Sequence, residues 1–395
     1  MASETQTQTA PMAPLRKGPL TSTWRENKKS WGFWERSMDT LGLHPTNLDM
    51  PIPVFKKTDP VPHIPAWLMH RWIIVHAFAP LAIHQAYVFV MGKNMPTWGA
   101  FLFYAFALKF GAIHQIHSMR WMGHRFGFLD GDKFARDSVP DGHVGKVTAS
   151  LLSTASLRPI MFLMLTYKHS QSPMEGLSWK WLLLEVGLYG IVLDFWFYWY
   201  HRVMHDNDSL WKFHRTHHLT KHPNPLLTLY ADEPQEFFDI AVIPFLTWGS
   251  LKLMGFPMGF YDWWVCSQYV IFSELVGHSG LRIHLIAPNP FSWLLQYFNC
   301  ELIIEDHDLH HRTGWKKSHN YGKQTRLWDR IFGTFRKEGR IETTPEAIDY
   351  VNTVPMPIFF DSTEPVVYKP GQQTVTTNSG NEGRCDEELL KEHHA

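Results

Sequence analysis

Cysteine is scarce in this 395-residue chain: Cys266, Cys300 and Cys385 are too few and too scattered for a disulfide framework. So little cysteine fits a reducing compartment. An excess of charge of one sign is also missing. Lys plus Arg equals Asp plus Glu at 37 each, so the chain lacks the basic surplus that a phosphate backbone demands, and nucleic acid is excluded as the main partner. The first residues lack the basic-then-apolar start of a secretory signal, and the closing "KEHHA" carries no retrieval signal of the Lys-Asp-Glu-Leu type. No internal repeat is visible.

Apolar runs, aromatic residues and histidine are abundant. Six stretches approach the roughly 20 apolar residues that cross a bilayer. Residues 72–91 carry no formal charge, and 98–113 carry only Lys109. Residues 147–167 are interrupted by Arg158 and Pro159, and 181–200 carry Glu185 and Asp194. Residues 237–256 and 260–277 are joined by "PMG", which predicts a tight hairpin. The 18 tryptophans gather near the ends of these runs, as in an interfacial belt. A mean hydropathy of -0.22 favours a soluble helical protein, but polar ends and His-rich segments depress that average. The expected fold is all-α: an integral-membrane helical domain of about four spans, with a cap carrying the histidines. Residues 1–65 read as a polar, Pro-rich N-terminal tail, 66–340 as the membrane domain and 341–395 as a polar C-terminal tail, disordered after about Pro365. The segments after residue 200 are rich in Lys and Arg, which places them in the cytosol.

Four sites bear histidine. "HRVMH" holds His201 and His205; "HRTHH" holds His214, His217 and His218; "ELVGHSG" holds His278; "HDLHH" holds His307, His310 and His311. On a helix, positions i, i+3 and i+4 share one face, so each box offers its imidazoles to one point in space. Nine imidazoles exceed the appetite of one metal ion and suit two ions with four or five ligands each. Imidazole suits Zn, Cu, Fe and Ni. A structural zinc site usually includes Cys, and the hydrolytic zinc motif with Glu between two histidines is absent. An all-His dinuclear site fits iron that activates dioxygen.

These boxes, with the lead-in "DFWFYWYHR" and the segment "NYGKQTRLWDRIFGTF" after the third box, resemble the fatty acid hydroxylase superfamily, also called the sterol desaturase family. "GHSG" resembles the corresponding segment of C4-methylsterol oxidases. The resemblance covers roughly residues 185 to 336 and implies a membrane-bound non-haem di-iron oxidoreductase, a monooxygenase or desaturase. It implies two Fe ions, O2 as cosubstrate, and the nine histidines as ligands, with no catalytic side chain outside that set. It also implies an endoplasmic reticulum location with the site facing the cytosol. Electrons would come from cytochrome b5 or its reductase, because the chain shows neither a dinucleotide fingerprint nor the His-Pro-Gly-Gly element of a fused cytochrome b5 domain. The expected reaction is hydroxylation of an unactivated C–H bond in a sterol, terpenoid or similar lipid. A sphingoid-base or fatty-acyl hydroxylase or desaturase stands as the alternative, and a His-rich membrane metal carrier as a remote one.

Four further residues are candidates. Asp194, seven residues before His201, shares its helix face and is a candidate acceptor for a ligating imidazole. His284 is a candidate tenth ligand or pocket residue. "YADEPQE" departs from the His-Pro-x-Glu element of sterol-modifying relatives and places Asp232 and Glu233 where its histidine would be. That pair stands as a helix cap, as hydrogen-bond acceptors for a ligand, or as ligands. Asp306 and Asp308, beside the third box, read as solvated charge.

Overall fold

Four helical stretches in the computed structural model are long and apolar enough to cross a membrane: Ala66–Met91, Thr97–Phe126, Asp141–Thr166 and Leu182–Asp206. Residues 20–131, 139–359 and 367–370 are described; Cys385 and the tail beyond 370 lie outside them. In chain order the elements begin with α1 (Phe33–Thr40), β1 (Val61–His63), α2 (Ala66–Met91), α3 (Thr97–Phe126), α4 (Val144–Leu152), α5 (Leu157–Thr166) and α6 (Pro173–Gly176). Next come α7 (Leu182–Asp206), α8 (Asp208–His214), α9 (Glu233–Phe237), a π turn (Phe238–Val242) and α10 (Ile243–Leu253). The chain continues through α11 (Phe260–Gly277), α12 (Ser292–Tyr297), α13 (Ile304–Thr313), α14 (Leu327–Phe332) and β2 (Ile348–Thr353).

Backbone chemistry sets the span ends. Pro65 and Pro96 stand at the N-caps of α2 and α3, and Gly92 closes α2 in the left-handed region at φ 64°. The outward faces are apolar: Trp67, Phe89, Val90, Trp98, Phe106 and Phe110 are all exposed. Such faces suit lipid rather than water.

The 260–277 stretch does form a hairpin with α10, closed where Trp248 donates its indole N–H to the carbonyl of Met258. It is not one of the four spans. Sixteen of the 18 residues of α11 are buried, so it is the helix around which the others pack. Trp264 donates its indole N–H to Ala77 O on α2, and Trp263 donates to the Tyr189 hydroxyl on α7. Interhelical bonds of this kind contribute about 1 kcal/mol each.

The segments read as polar tails are packed where they are described. Trp24, Trp31, Met38 and Leu43 join Val144, Val147, Leu227 and Tyr230 in a second apolar core. β1 and β2 pair in parallel, Val61 opposite Ile348, so the chain before the first span meets the chain after the third box. Polar composition concealed the few large apolar residues that anchor each segment.

Candidate metal centre

All nine box histidines meet in the interior, in two groups. His201, His205, His214, His218 and His310 form one; His217, His278, His307 and His311 form the other, and every residue of both is buried. Within each group the candidate ligand nitrogens lie within 4.8 Å of one another. The first box, on α7, serves one group. The second and third boxes divide between the two, contrary to the expectation that each box aims at one point. The reason is local. α8 ends at His214, and a 3-10 turn carries His217 and His218, so these rings diverge. On α13, His310 faces the first group while His307 and His311 face the second.

The outward ring nitrogens explain the orientation. Nδ1 lies 2.7 Å from Tyr321 O in His201, 2.8 Å from Trp315 O in His205 and 2.7 Å from His319 O in His310. It lies 3.0 Å from Gln235 Oε1 in His214, 3.3 Å from Tyr230 O in His217 and 2.8 Å from Glu274 O in His278. A carbonyl oxygen can only accept, so Nδ1 carries the proton and Nε2 presents a lone pair inward. Yet Nε2 of His218 lies 3.1, 3.0 and 3.2 Å from Nε2 of His205, His214 and His310. Nε2 of His278 lies 3.3 and 3.0 Å from Nε2 of His217 and His307. His201 Nε2 and both ring nitrogens of His311 have no hydrogen-bond partner. Burial first, then neighbouring imidazoles, hold the pKa of His214, His218, His307, His310 and His311 well below 6.5. His217 falls to about 3 by burial and the nearby His278, and burial takes His278 to about 4. Neutral imidazoles with converging lone pairs are what a divalent transition metal requires. The donor set therefore fits iron.

A loop after the third box supports this shell. The helix face of Asp194 predicts an acceptor for a ligating ring, but its oxygens are taken up by a loop instead. Its carboxylate accepts from the backbone N–H groups of Lys323, Gln324 and Thr325 and from the Thr325 hydroxyl, at 2.7 to 3.1 Å. Asp329 likewise accepts from the N–H groups of Tyr321 and Gly322, both at 2.9 Å. Together they fix the Tyr321 carbonyl that meets His201. The loop lies so close that a Cβ on Gly322 would stand 2.2 Å from Thr325 O and 2.9 Å from Asp194 Oδ2.

The other candidates lie outside both groups. Asp232 occupies the N-cap position of α9 but makes no side-chain cap bond; it accepts from the Thr216 hydroxyl at 3.2 Å and faces Lys146 at 3.6 Å. The Glu233 side chain is 88% exposed, which removes it from ligation. His284 pairs by its backbone with Pro62 and Ile64, and its ring lies beside Tyr350. Asp306 and Asp308 are buried and paired, with Arg340 at 2.8 Å and Arg312 at 3.1 Å, instead of solvated. Gln235, the carbonyl acceptors, and the buried Arg158, Glu274 and Lys323 escaped sequence reasoning. The only signal for any of them was a charge inside an apolar run.

The profile of the fatty acid hydroxylase family matches residues 186–334, the segment that carries all nine histidines. The fatty acid hydroxylase vlmA of Lecanicillium sp is 38% identical over 87% of this chain and 94% of its own length. The chain belongs to the fatty acid hydroxylase family and is a multi-pass membrane oxidoreductase. Methylsterol monooxygenase 2-1 of Arabidopsis thaliana is 28% identical over 56% of this chain and 83% of its own length. Alkylglycerol monooxygenase of Xenopus tropicalis is 24% identical over 57% of this chain and 45% of its own length. No solved structure matches the chain.

Proposed function

We propose that the chain hydroxylates an unactivated C–H bond of a sterol, terpenoid or comparable lipid, using O2 at two iron ions. His201, His205, His214, His218 and His310 hold one ion, and His217, His278, His307 and His311 hold the other. The observation that carries the reading is the convergence of nine inward-facing imidazoles in groups of five and four. Iron, when bound, supplies the reduction of dioxygen and the attack on the C–H bond. The protein orients six of the nine rings through Nδ1–H bonds to carbonyl oxygens and keeps bulk water from the buried rings. An apolar cavity of about 450 Å³ runs along α7 and α10, lined in part by Tyr200, Met204 and Phe213, the sequence neighbours of His201, His205 and His214, and suits a hydrocarbon.

The enzyme sits in the endoplasmic reticulum with the histidines towards the cytosol, consistent with the Lys and Arg near the boxes. Electrons come from cytochrome b5 or its reductase. A second reading, a fatty-acyl or sphingoid-base hydroxylase or desaturase, is favoured by the 38% identity to the fatty acid hydroxylase vlmA. A metal carrier is disfavoured, because seven of the nine histidines lie outside the four apolar stretches. The deciding experiment is to express the chain in cells and profile their lipids by mass spectrometry. Gain of one oxygen on one lipid class supports hydroxylation, and loss of two hydrogens supports desaturation. His217→Ala and His310→Ala should each abolish the change while the protein still inserts; retained conversion in both would refute the assignment.

A further inference from the structure

Three charged side chains that hold no metal meet among the apolar helices. Arg158 Nη2, from α5, donates to both oxygens of Glu274 on α11 at 3.1 and 3.0 Å. Lys323 Nζ lies 3.0 Å from Glu274 Oε1. Arg158 is 7% exposed, and Glu274 and Lys323 are 8% exposed. A fourth member is Asp239, on the π turn. Its backbone carbonyl accepts from Arg158 Nη2 at 3.4 Å, and its carboxylate lies within electrostatic reach of the other three and of Gln235. Two cations and two carboxylates make the cluster neutral. Charges inside a membrane domain are costly and usually mark function.

The cluster borders both histidine groups. Gln235 also accepts from His214, and the Glu274 carbonyl accepts from His278. Lys323 Nζ stands 3.9 Å from the Phe197 ring, which lies 4.9 Å from His201. Within the cluster, two buried atoms lack hydrogen-bond partners: the donor Arg158 Nε and the acceptor Asp239 Oδ1. Next to Asp239, the buried Tyr200 hydroxyl is likewise without a partner. The Tyr200 ring stacks on Phe238 at 5.2 Å, and both line the apolar cavity together with Trp196, Met204, Phe213 and Leu246. The π turn sets Phe238 on the cavity wall and Asp239 in the charged cluster; single π turns inside helices occur frequently at functional sites.

An unmet donor and an unmet acceptor in a neutral buried cluster match an uncharged group that can both accept and donate. A hydroxyl does both. A carboxylate would add an uncompensated buried charge, and a hydrocarbon would leave both atoms unmet. We propose that Arg158 and Asp239 anchor the hydroxyl of a lipid alcohol whose hydrocarbon lies in the adjacent cavity. The proposal rests on the lipid-hydroxylase reading and adds the polar handle of its substrate.

Binding tests it without turnover. Iron-loaded full-length protein in detergent is labelled with a hexadecanol carrying a chain diazirine, and the label is mapped by mass spectrometry. Hexadecanol, hexadecyl methyl ether and hexadecanoic acid compete for the label. The label is expected on residues 196–213 and 234–246, with the alcohol competing about tenfold better than the ether, as for one hydrogen bond to a charged group. Asp239→Leu should remove that difference, with ether binding in the same variant as the control for an intact cavity. Label elsewhere, equal competition by alcohol and ether, a preference for the acid, or a difference that survives in Asp239→Leu would each overturn the anchor. The wild-type arms decide even where the variant does not fold. An inactive wild type would refute the proposed reaction and leave these binding results readable.

Discussion

Nε2 of His278 and Nε2 of His217 face each other at 3.3 Å, although both rings already donate through Nδ1 to backbone carbonyls. Neither facing nitrogen carries a proton, and neither ring is charged near neutral pH. Two lone pairs at that distance repel unless a cation lies between or beside them. The fold holds them there through Tyr230 O and Glu274 O, so it expends stability on a geometry that a metal relieves.

Acid should expose this cost. The folded pKa values of His217 (about 3) and His278 (about 4) lie below the unfolded value of 6.5. Between pH 6.5 and about 4 the unfolded chain therefore binds protons that the folded chain cannot, and stability falls as pH drops through that window. Chelator-stripped protein in detergent should show a thermal aggregation temperature that falls steadily from pH 7 to pH 5. A flat profile would mean that these rings are not buried as neutral bases.

Asp194 should control metal retention without being a ligand. Asp194→Ala removes the acceptor of three backbone N–H groups and one hydroxyl, and should cost about 3 kcal/mol or more. Iron content should fall with it, because the Tyr321 carbonyl loses its support. Elemental analysis of the membrane-inserted variant checks this; full iron retention would separate the loop from the centre.

The acidic pair should be silent. Glu233→Gln and Asp232→Asn should each keep iron and turnover, with stability changes within about 0.5 kcal/mol for the exposed Glu233. Loss of iron in either variant would restore the pair to the site.

Turnover should require an added donor. Purified protein with O2 and substrate should be inert until cytochrome b5, its reductase and NAD(P)H are supplied. Sustained multiple turnover without them would contradict the external-donor reading.

Eight of the nine histidines were legible because imidazoles repeated at i, i+3 and i+4 beside apolar runs pack poorly and need a partner, whereas His278 stands alone and entered through the resemblance of "GHSG". Their division into two groups was not legible, because helical spacing assumes one continuous helix, whereas α8 stops at His214 and the chain turns before His217. Asp194 was legible as an inward-facing acid, but its partners lie 129 to 131 residues further along the chain. Most of the acceptors that orient the rings are backbone carbonyls, which leave no mark in a sequence. The spans were readable from apolar length. That 260–277 is a core helix was not, since a helix apolar all round looks alike in lipid and in protein.

Metal stoichiometry tests the central claim most directly. Full-length protein purified after expression with iron should contain close to two iron ions per chain. His278→Ala should lower that towards one, and His205→Ala should do the same from the other group. One ion per chain in the wild type, or two ions retained in both variants, would contradict a centre of two histidine-held irons.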